Sequence, residues 1–483
     1  RDPAVVLAVD SAKIADVAWF RDDLADGNSM SDLAELLGDG PEAPKGLELP
    51  DDVIGLAVWV QPTGLDGGAN LWARLRDANG VYFDSWVGTL GNQGWNKIQS
   101  DISPVIAAGR RQASDTLRST LVRPFTLQAF QITNRLGGFG SDSLGAIFLR
   151  ELEAVTINGP VLLTDFEMSD GWTVVEDFSR PGLYALETSG SAGGEQFPIS
   201  TRFSWASGGV GLRGLRPGPT EPPIAALVNT EFLELADAAL GDDVILGLST
   251  YAIRINVVGV VDYFPTLDPG DKPFVVLDLD SFEAVANQHS PVPAAEANEI
   301  WVNLESFSAD LPDDSDNTGA IGDADKITEF MRELGVNVRD VYDAEAMVAS
   351  RVDQPLVNAG WGALLVLLFL AVALATGSGV MLFSFLDTKE RQTEFALLRT
   401  LGSSGGQMRG IVWFNLFLIV ICGVALGTWV GQLIGANLLP LMELAEEGER
   451  VTPPMALTTN WLSLLVSYSV LAGVTLVTVI WLA

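Results

Sequence analysis

Two long runs without a single charged residue dominate the C-terminal part of the chain, residues 356–386 and 410–442. Each exceeds the roughly 20 residues that a helix needs to cross the hydrocarbon of a bilayer. Between them lies a polar stretch, E-R-Q-T-E-F-A-L-L-R-T-L-G, at residues 390–402. Charge is costly in hydrocarbon, so this stretch reads as a short aqueous loop between two membrane spans. Wound as a helix, it places Phe395, Leu397, Leu398 and Leu401 on one arc and Lys389, Thr393, Arg399 and Thr400 on the opposite one. Glu390 and Glu394 fall inside the apolar arc. Two readings fit: a helix resting at the lipid interface, or a helix docked into the polar groove of a partner.

Loop charges orient the spans. The first loop, residues 387–409, carries Lys389, Arg391, Arg399 and Arg409, whereas the second has Glu443, Glu446, Glu447 and Glu449 against Arg450 alone. The positive-inside rule makes the first loop cytoplasmic, leaving residues 1–350 extracytoplasmic and a third span, residues 462–483, returning inward. The expected location is the cell membrane, with spans at about residues 357–386, 410–440 and 462–483. Gly423, Gly427, Gly431 and Gly435 recur every fourth residue in the second span, the spacing that lets helices pack closely. No Asp, Glu, Lys or Arg interrupts a span, so nothing marks an ion or proton path.

The order of a long ectodomain, a span, E-R-Q-T-E-F-A-L-L-R-T-L-G-S-S and a Gly-rich second span resembles the FtsX/MacB-type permeases of ABC transporters. The resemblance rests on Glu390, Arg391, Glu394, Phe395, Ala396, Leu398, Arg399, Leu401 and Gly402, followed by the four glycines. It implies that Glu390, Arg391, Glu394, Phe395, Leu398, Arg399, Leu401 and Gly402 form a coupling helix that contacts a separate ABC ATP-binding subunit. ATP and Mg would sit in that subunit, with no cofactor in this chain, and the Gly stripe would pack helices within a permease or across a permease dimer. The family has four spans per module with the first before the ectodomain, so the resemblance implies further sequence upstream of Arg1 and beyond Ala483. The absence of a leader at Arg1-Asp2-Pro3 carries the same expectation.

The 483 residues carry a formal charge of −34. From Arg351 onward there are six Lys/Arg against eight Asp/Glu, so the preceding residues hold 22 basic against 54 acidic side chains. So acidic a surface repels nucleic acid. The single cysteine, Cys422, excludes an intramolecular disulfide.

Residues 4–11, A-V-V-L-A-V-D-S, read as a buried strand, and residues 274–281, F-V-V-L-D-L-D-S, repeat its signature. Either the match is accidental, or residues 1–44 are the tail of a preceding extracytoplasmic module. A helix is expected over about residues 12–37. Residues 45–218 show short strands and turns, predicting a β-sandwich similar to galactose-binding-like jelly rolls and ending in the Pro/Gly-rich linker 216–223. Trp59, Trp72, Tyr82, Trp86 and Trp95 are either stacking surfaces for sugar rings or the core of that sandwich. Residues 219–350 alternate strands (including 299–304) with helices (including 324–334 and 343–354), predicting an α+β domain similar to the MacB core, and residues 351–483 form the transmembrane bundle.

No catalytic set emerges, and the chain is not expected to be an enzyme. His289 is the only histidine, which excludes H-E-x-x-H, and no G-x-x-x-x-G-K-[ST] is present. Asp314, Asp316, Thr318 and Asp325 follow the spacing of a calcium loop, but the last position lacks the usual Glu and Pro312 interrupts the incoming helix. An ordinary solvated loop is the competing reading. The function expected is a permease subunit coupling a partner's ATP hydrolysis to movement of an extracytoplasmic domain, for export or extraction of a lipid, lipoprotein or peptide, or for mechanotransmission. A membrane-anchored carbohydrate-binding or adhesion protein is the alternative.

Overall fold

The computed structural model describes residues 4–40, 45–65, 68–91, 94–105, 121–134, 144–190, 197–207, 213–267, 272–290, 297–303, 323–333, 338–344, 355–402, 404–442, 459 and 461–482. The chain divides into two compact units, Arg1–Asn303 and Leu304–Ala483. The first opens with β1 (Val5–Val9), α1 (Ile14–Val17), α2 (Met30–Gly38), β2 (Leu47–Glu48), β3 (Val53–Thr63), β4 (Ala69–Arg76), β5 (Tyr82–Leu90), β6 (Asn96–Asp101) and β7 (Pro104–Val105). It continues with β8 (Thr126–Asn134), β9 (Gly145–Thr156), β10 (Gly159–Thr164), β11 (Trp172–Val174), β12 (Tyr184–Gly190), β13 (Ile199–Trp205) and β14 (Arg213–Pro217). It ends with β15 (Ile224–Val228), α3 (Thr230–Ala236), β16 (Asp243–Gly247), β17 (Ala252–Val260), β18 (Phe274–Asp278) and α4 (Leu279–His289). The second unit contains α5 (Asp323–Glu333), α6 (Pro355–Glu390), α7 (Gln392–Thr400), α8 (Gly405–Met442) and α9 (Trp461–Leu482).

Strands β2 to β14 make two sheets with antiparallel pairing, ordered β12-β13-β9-β3-β6 and β11-β14-β8-β4-β5-β7, with β10 added to β9 and β2 to β8. Their inward residues, among them Val58, Val60, Leu71, Leu75, Phe83, Phe130, Leu149 and Phe203, share one core. A β-sandwich results. β10 to β14 complete the same two sheets.

The third sheet is ordered β1-β18-β15-β17-β16, with parallel pairing of β1 to β18 and of β15 to β17. Its middle strand β15, I-A-A-L-V, is apolar and buried throughout because both faces are covered. Phe274 and Val276 meet α2 through Leu33 and Leu37, whereas Val275 and Leu277 face the side covered by Phe232 of α3 and Val285 of α4. Val5–Val9 and Met30–Gly38, within the segment 1–44 expected as the tail of another module, supply an edge strand and a covering helix to this sheet. The two segments whose likeness raised an internal repeat are adjacent strands, paired from Val5↔Phe274 to Val9↔Asp278, and the Ser11 hydroxyl donates to Asp278 at 2.7 Å. Like patterns arose from like demands: each strand needs apolar cover and a polar turn after it.

Two expected elements differ. The helix expected over residues 12–37 is broken, because Gly27 takes φ 91° and Ser29 with Asp32 forms a reciprocal capping box that starts α2 afresh. Residues 299–303 form no strand; Trp301 instead packs at the margin of the α2 core, where a ladder partner is not needed. The helix predicted at 324–334 is α5, and most of that predicted at 343–354 lies outside the described residues.

Sandwich and third sheet are joined by buried charge. Arg74 on β4 pairs with Asp84, its register partner on β5, at 2.8 Å, and also donates to the Ser290 carbonyl at 2.7 Å and to that of Asn287. Arg216 on β14 lies 3.1 Å from Glu221, donates to Gln288 at 2.7 Å, and Glu221 also meets His289. The Pro/Gly-rich linker, through Arg216, Pro219 and Glu221, is thereby locked onto the end of α4. Burial alone would raise the Glu221 carboxyl, but His289 and Arg216 outweigh it and hold it at about 2.

Glu221→Gln leaves Arg216 without its counter-charge and should cost about 3–5 kcal/mol of stability near neutral pH, read by denaturant titration of the full chain in detergent. A carboxylate depressed by folding adds stability that is complete above its unfolded value and lost as pH falls toward its folded one. The gap between wild type and Glu221→Gln should accordingly narrow as pH falls from about 4.5 to about 2.

Candidate functional site

Within the second unit, α6 and α8 contain windows, Val366–Asp387 and Phe417–Leu438, long and apolar enough to cross a membrane. α6 begins at Pro355, whose fixed φ and missing N–H suit a first helical position. α9 has no charged residue and packs against α6, and the Thr428 and Tyr468 hydroxyls join α8 to α9 at 2.5 Å.

The charged stretch between α6 and α8 is an elbow in two steps. α6 persists to Glu390, and Asp387 accepts both the Arg391 backbone N–H at 3.1 Å and its Nε at 2.9 Å, closing the turn where the helix breaks. α7 follows and is finished by the Leu401 N–H on the Leu397 carbonyl at 3.2 Å and by the Thr400 hydroxyl on the same oxygen at 2.6 Å. Gly402 then takes φ 96°, the left-handed conformation that ends helices and that glycine adopts without strain. The Ser404 N–H donates to Gln407 Oε1 at 3.0 Å while the Gln407 N–H donates to the Ser404 carbonyl, which starts α8.

The sequence expected one helix over the whole stretch. Glu390 instead closes α6, Arg391 forms the break, and Glu394, Phe395, Leu398 and Arg399 take their places on α7, with Leu401 and Gly402 in the turn after it. Glu390, Arg391 and Glu394 are exposed, and so are Leu397 at 65% and Leu401 at 76%, one turn apart. Exposed leucines beside exposed carboxylates make a mixed surface of the kind that partner grooves accept.

Other expected residues fare differently. On α8, a side chain at Gly423, Gly427 or Gly431 would meet nothing within 4 Å, so no described helix packs on that stripe; Gly435 continues it. Asp314, Asp316 and Thr318 lie outside the described residues, and Asp325 falls in the first turn of α5. The five aromatic side chains do not form one platform. Trp59 and Trp95 lie edge-on to Phe197 at 5.6 and 4.9 Å, Tyr82 is buried with Arg76 over its ring, and Trp72, bonded to Thr133, is the register partner of the exposed Trp86. Sequence reasoning missed the buried arginines; the available signal was a cation flanked on both sides by apolar residues within a strand, as Arg74 is in A-N-L-W-A-R-L-R.

No curated protein and no solved structure matches this chain. Residues 366–483 match the family model described as FtsX-like permease C-terminal. The matched region begins inside α6 and takes in the whole elbow, α8 and α9.

Proposed function

We propose that this chain is the permease subunit of an ABC system, with α7 as the helix that receives the force of ATP hydrolysis from a separate ATP-binding subunit. The observation that carries the reading is the exposed, doubly capped elbow lying inside the region that matches the FtsX-like family. A short helix between two rigid hydrogen-bonded joints transmits displacement, whereas a loose loop would absorb it. Because α6 runs without a break into the elbow, a push on α7 reaches that long helix through the Asp387–Arg391 joint.

In this reading α6, α8 and α9 are three spans, the elbow is cytoplasmic, and residues 1–350 lie on the other side of the membrane. ATP and Mg belong to the partner, and the chain itself carries no enzymatic step. The sandwich, of jelly-roll type, and the third sheet, comparable to a MacB core, move together as the mechanical output. The cargo class is a lipid, lipoprotein or peptide handled at the outer membrane face, or the output is mechanical signalling alone. The Gly stripe of α8 supplies a packing surface for another span or a second permease.

Glu394→Lys with Leu401→Asp changes two exposed side chains, so folding should be preserved. Co-purification in detergent should then lose the ATP-binding subunit, and the ATPase rate of the isolated complex should fall at least about tenfold. Retention of both would remove α7 from the interface. Gly402→Val forces a branched side chain into left-handed backbone, at a cost of roughly 1–2 kcal/mol. If that strain is released by shifting α7, affinity for the subunit should weaken by about tenfold, measurable by titrating labelled subunit against the permease in nanodiscs.

A further inference from the structure

Among the described residues of the first unit four arginines are buried, and three have carboxylate partners: Arg74 with Asp84, Arg150 with Glu167 and Arg216 with Glu221. Arg213, 4% exposed, has none among the described residues, and its buried Nε meets no acceptor. Its guanidinium lies 4.9 Å from the centre of the Trp205 ring. A cation over an indole recovers only part of what burial costs a guanidinium. An unmatched buried cation is therefore expensive to keep unless something anionic joins it.

The surroundings say what kind of group that is. Arg213 is the first residue of β14, Trp205 the last of β13 and Tyr184 the first of β12, so all three sit at strand ends on one end of the sandwich. Tyr184 and Trp205 are register partners, and Trp205 pairs in turn with Gly145 at the start of β9. The indole occupies the space beside that glycine, where a Cβ would come within 2.4 Å of it. Trp205 Nε1 and Tyr184 Oη are both buried without a hydrogen-bond partner, in residues 3% and 7% exposed. Guanidinium and indole can only donate, and a phenol donates readily. Burial, reinforced by Asp177 and opposed by Arg213, pushes the Tyr184 phenol up to about 12, so it keeps its proton at any physiological pH. Asp177 Oδ2 is likewise buried and unpartnered, an acceptor beside this donor set.

We propose that Arg213, Trp205 and Tyr184 form a binding site for an oxyanion, a carboxylate or phosphate group, at the end of the β-sandwich. The guanidinium supplies charge, and the indole N–H and phenol O–H are the further donors available to oxygen lone pairs. Asp177 favours an oxyanion that carries a neighbouring hydroxyl, since its free oxygen accepts such a proton. The site is independent of the permease assignment, because no residue of the second unit takes part.

The test is thermal unfolding of the full chain in detergent, titrated at constant ionic strength with inorganic phosphate, D-glucuronate or neutral glucose. Wild type should be protected by one or both anions and not by glucose. Arg213→Met should lose at least about tenfold in apparent affinity, and Tyr184→Phe a few-fold. Without anion, Arg213→Met should be no less stable than wild type, since it removes an uncompensated buried charge, and this outcome also guards against mistaking misfolding for lost binding. Equal protection by both anions supports a free oxyanion as ligand, and protection by glucuronate alone supports an anionic sugar. Protection that is absent, or identical in Arg213→Met, overturns the proposal.

Discussion

The cost of placing charge in hydrocarbon organises the second unit. Two helices free of charge over residues 356–386 and 410–442 are joined through a segment that holds Lys389, Glu390, Arg391, Glu394 and Arg399, and charge of that density cannot follow the helices into a bilayer. The chain must therefore turn at the segment, and the Asp387–Arg391 joint, Gly402 and the Ser404–Gln407 cap make that turn a defined object. α7 is left short, exposed and held at both ends. Those properties suit the contact with an ATP-binding subunit proposed above, and the FtsX-like family match covers the region that has them.

The first unit depends on a different balance. Its third sheet is covered on both faces and its sandwich is filled by side chains of two sheets, so apolar burial stabilises each part. Apolar contact alone fixes no orientation between them. The Arg74–Asp84 and Arg216–Glu221–His289 contacts do, because a buried ion tolerates little displacement before its partner is lost. Such a lock lets the sandwich and the sheet move as one body.

Legibility in the sequence followed how local the deciding interactions were. The apolar runs, the elbow and most strands of the sandwich were visible, because length, charge and alternation act over a few neighbours. The break in the N-terminal helix was missed although Gly27 and the Ser29–Asp32 pair announce it, since its apolar periodicity continues across the turn. The place of β1 was missed for a deeper reason: its partner Phe274–Asp278 lies far along the chain, and resemblance between two strands does not reveal that they are neighbours. The same holds for Arg74, Arg213 and Arg216, whose roles depend on what the fold brings to them. At the elbow, sequence located the charged stretch but merged the end of α6 with α7, because Arg391 carries no helix-breaking signature and only the Asp387 contact marks the joint.

The chain's single cysteine makes the decisive measurement direct. In a Cys422→Ser background, Leu397→Cys places one thiol on the exposed face of α7. Photo-crosslinking from that thiol in membranes containing the native complex should yield an adduct with an ATP-binding subunit, and ATP analogues should change its yield. A thiol that crosslinks only to lipid, or that reacts with impermeant reagents from the outer face, would contradict the account.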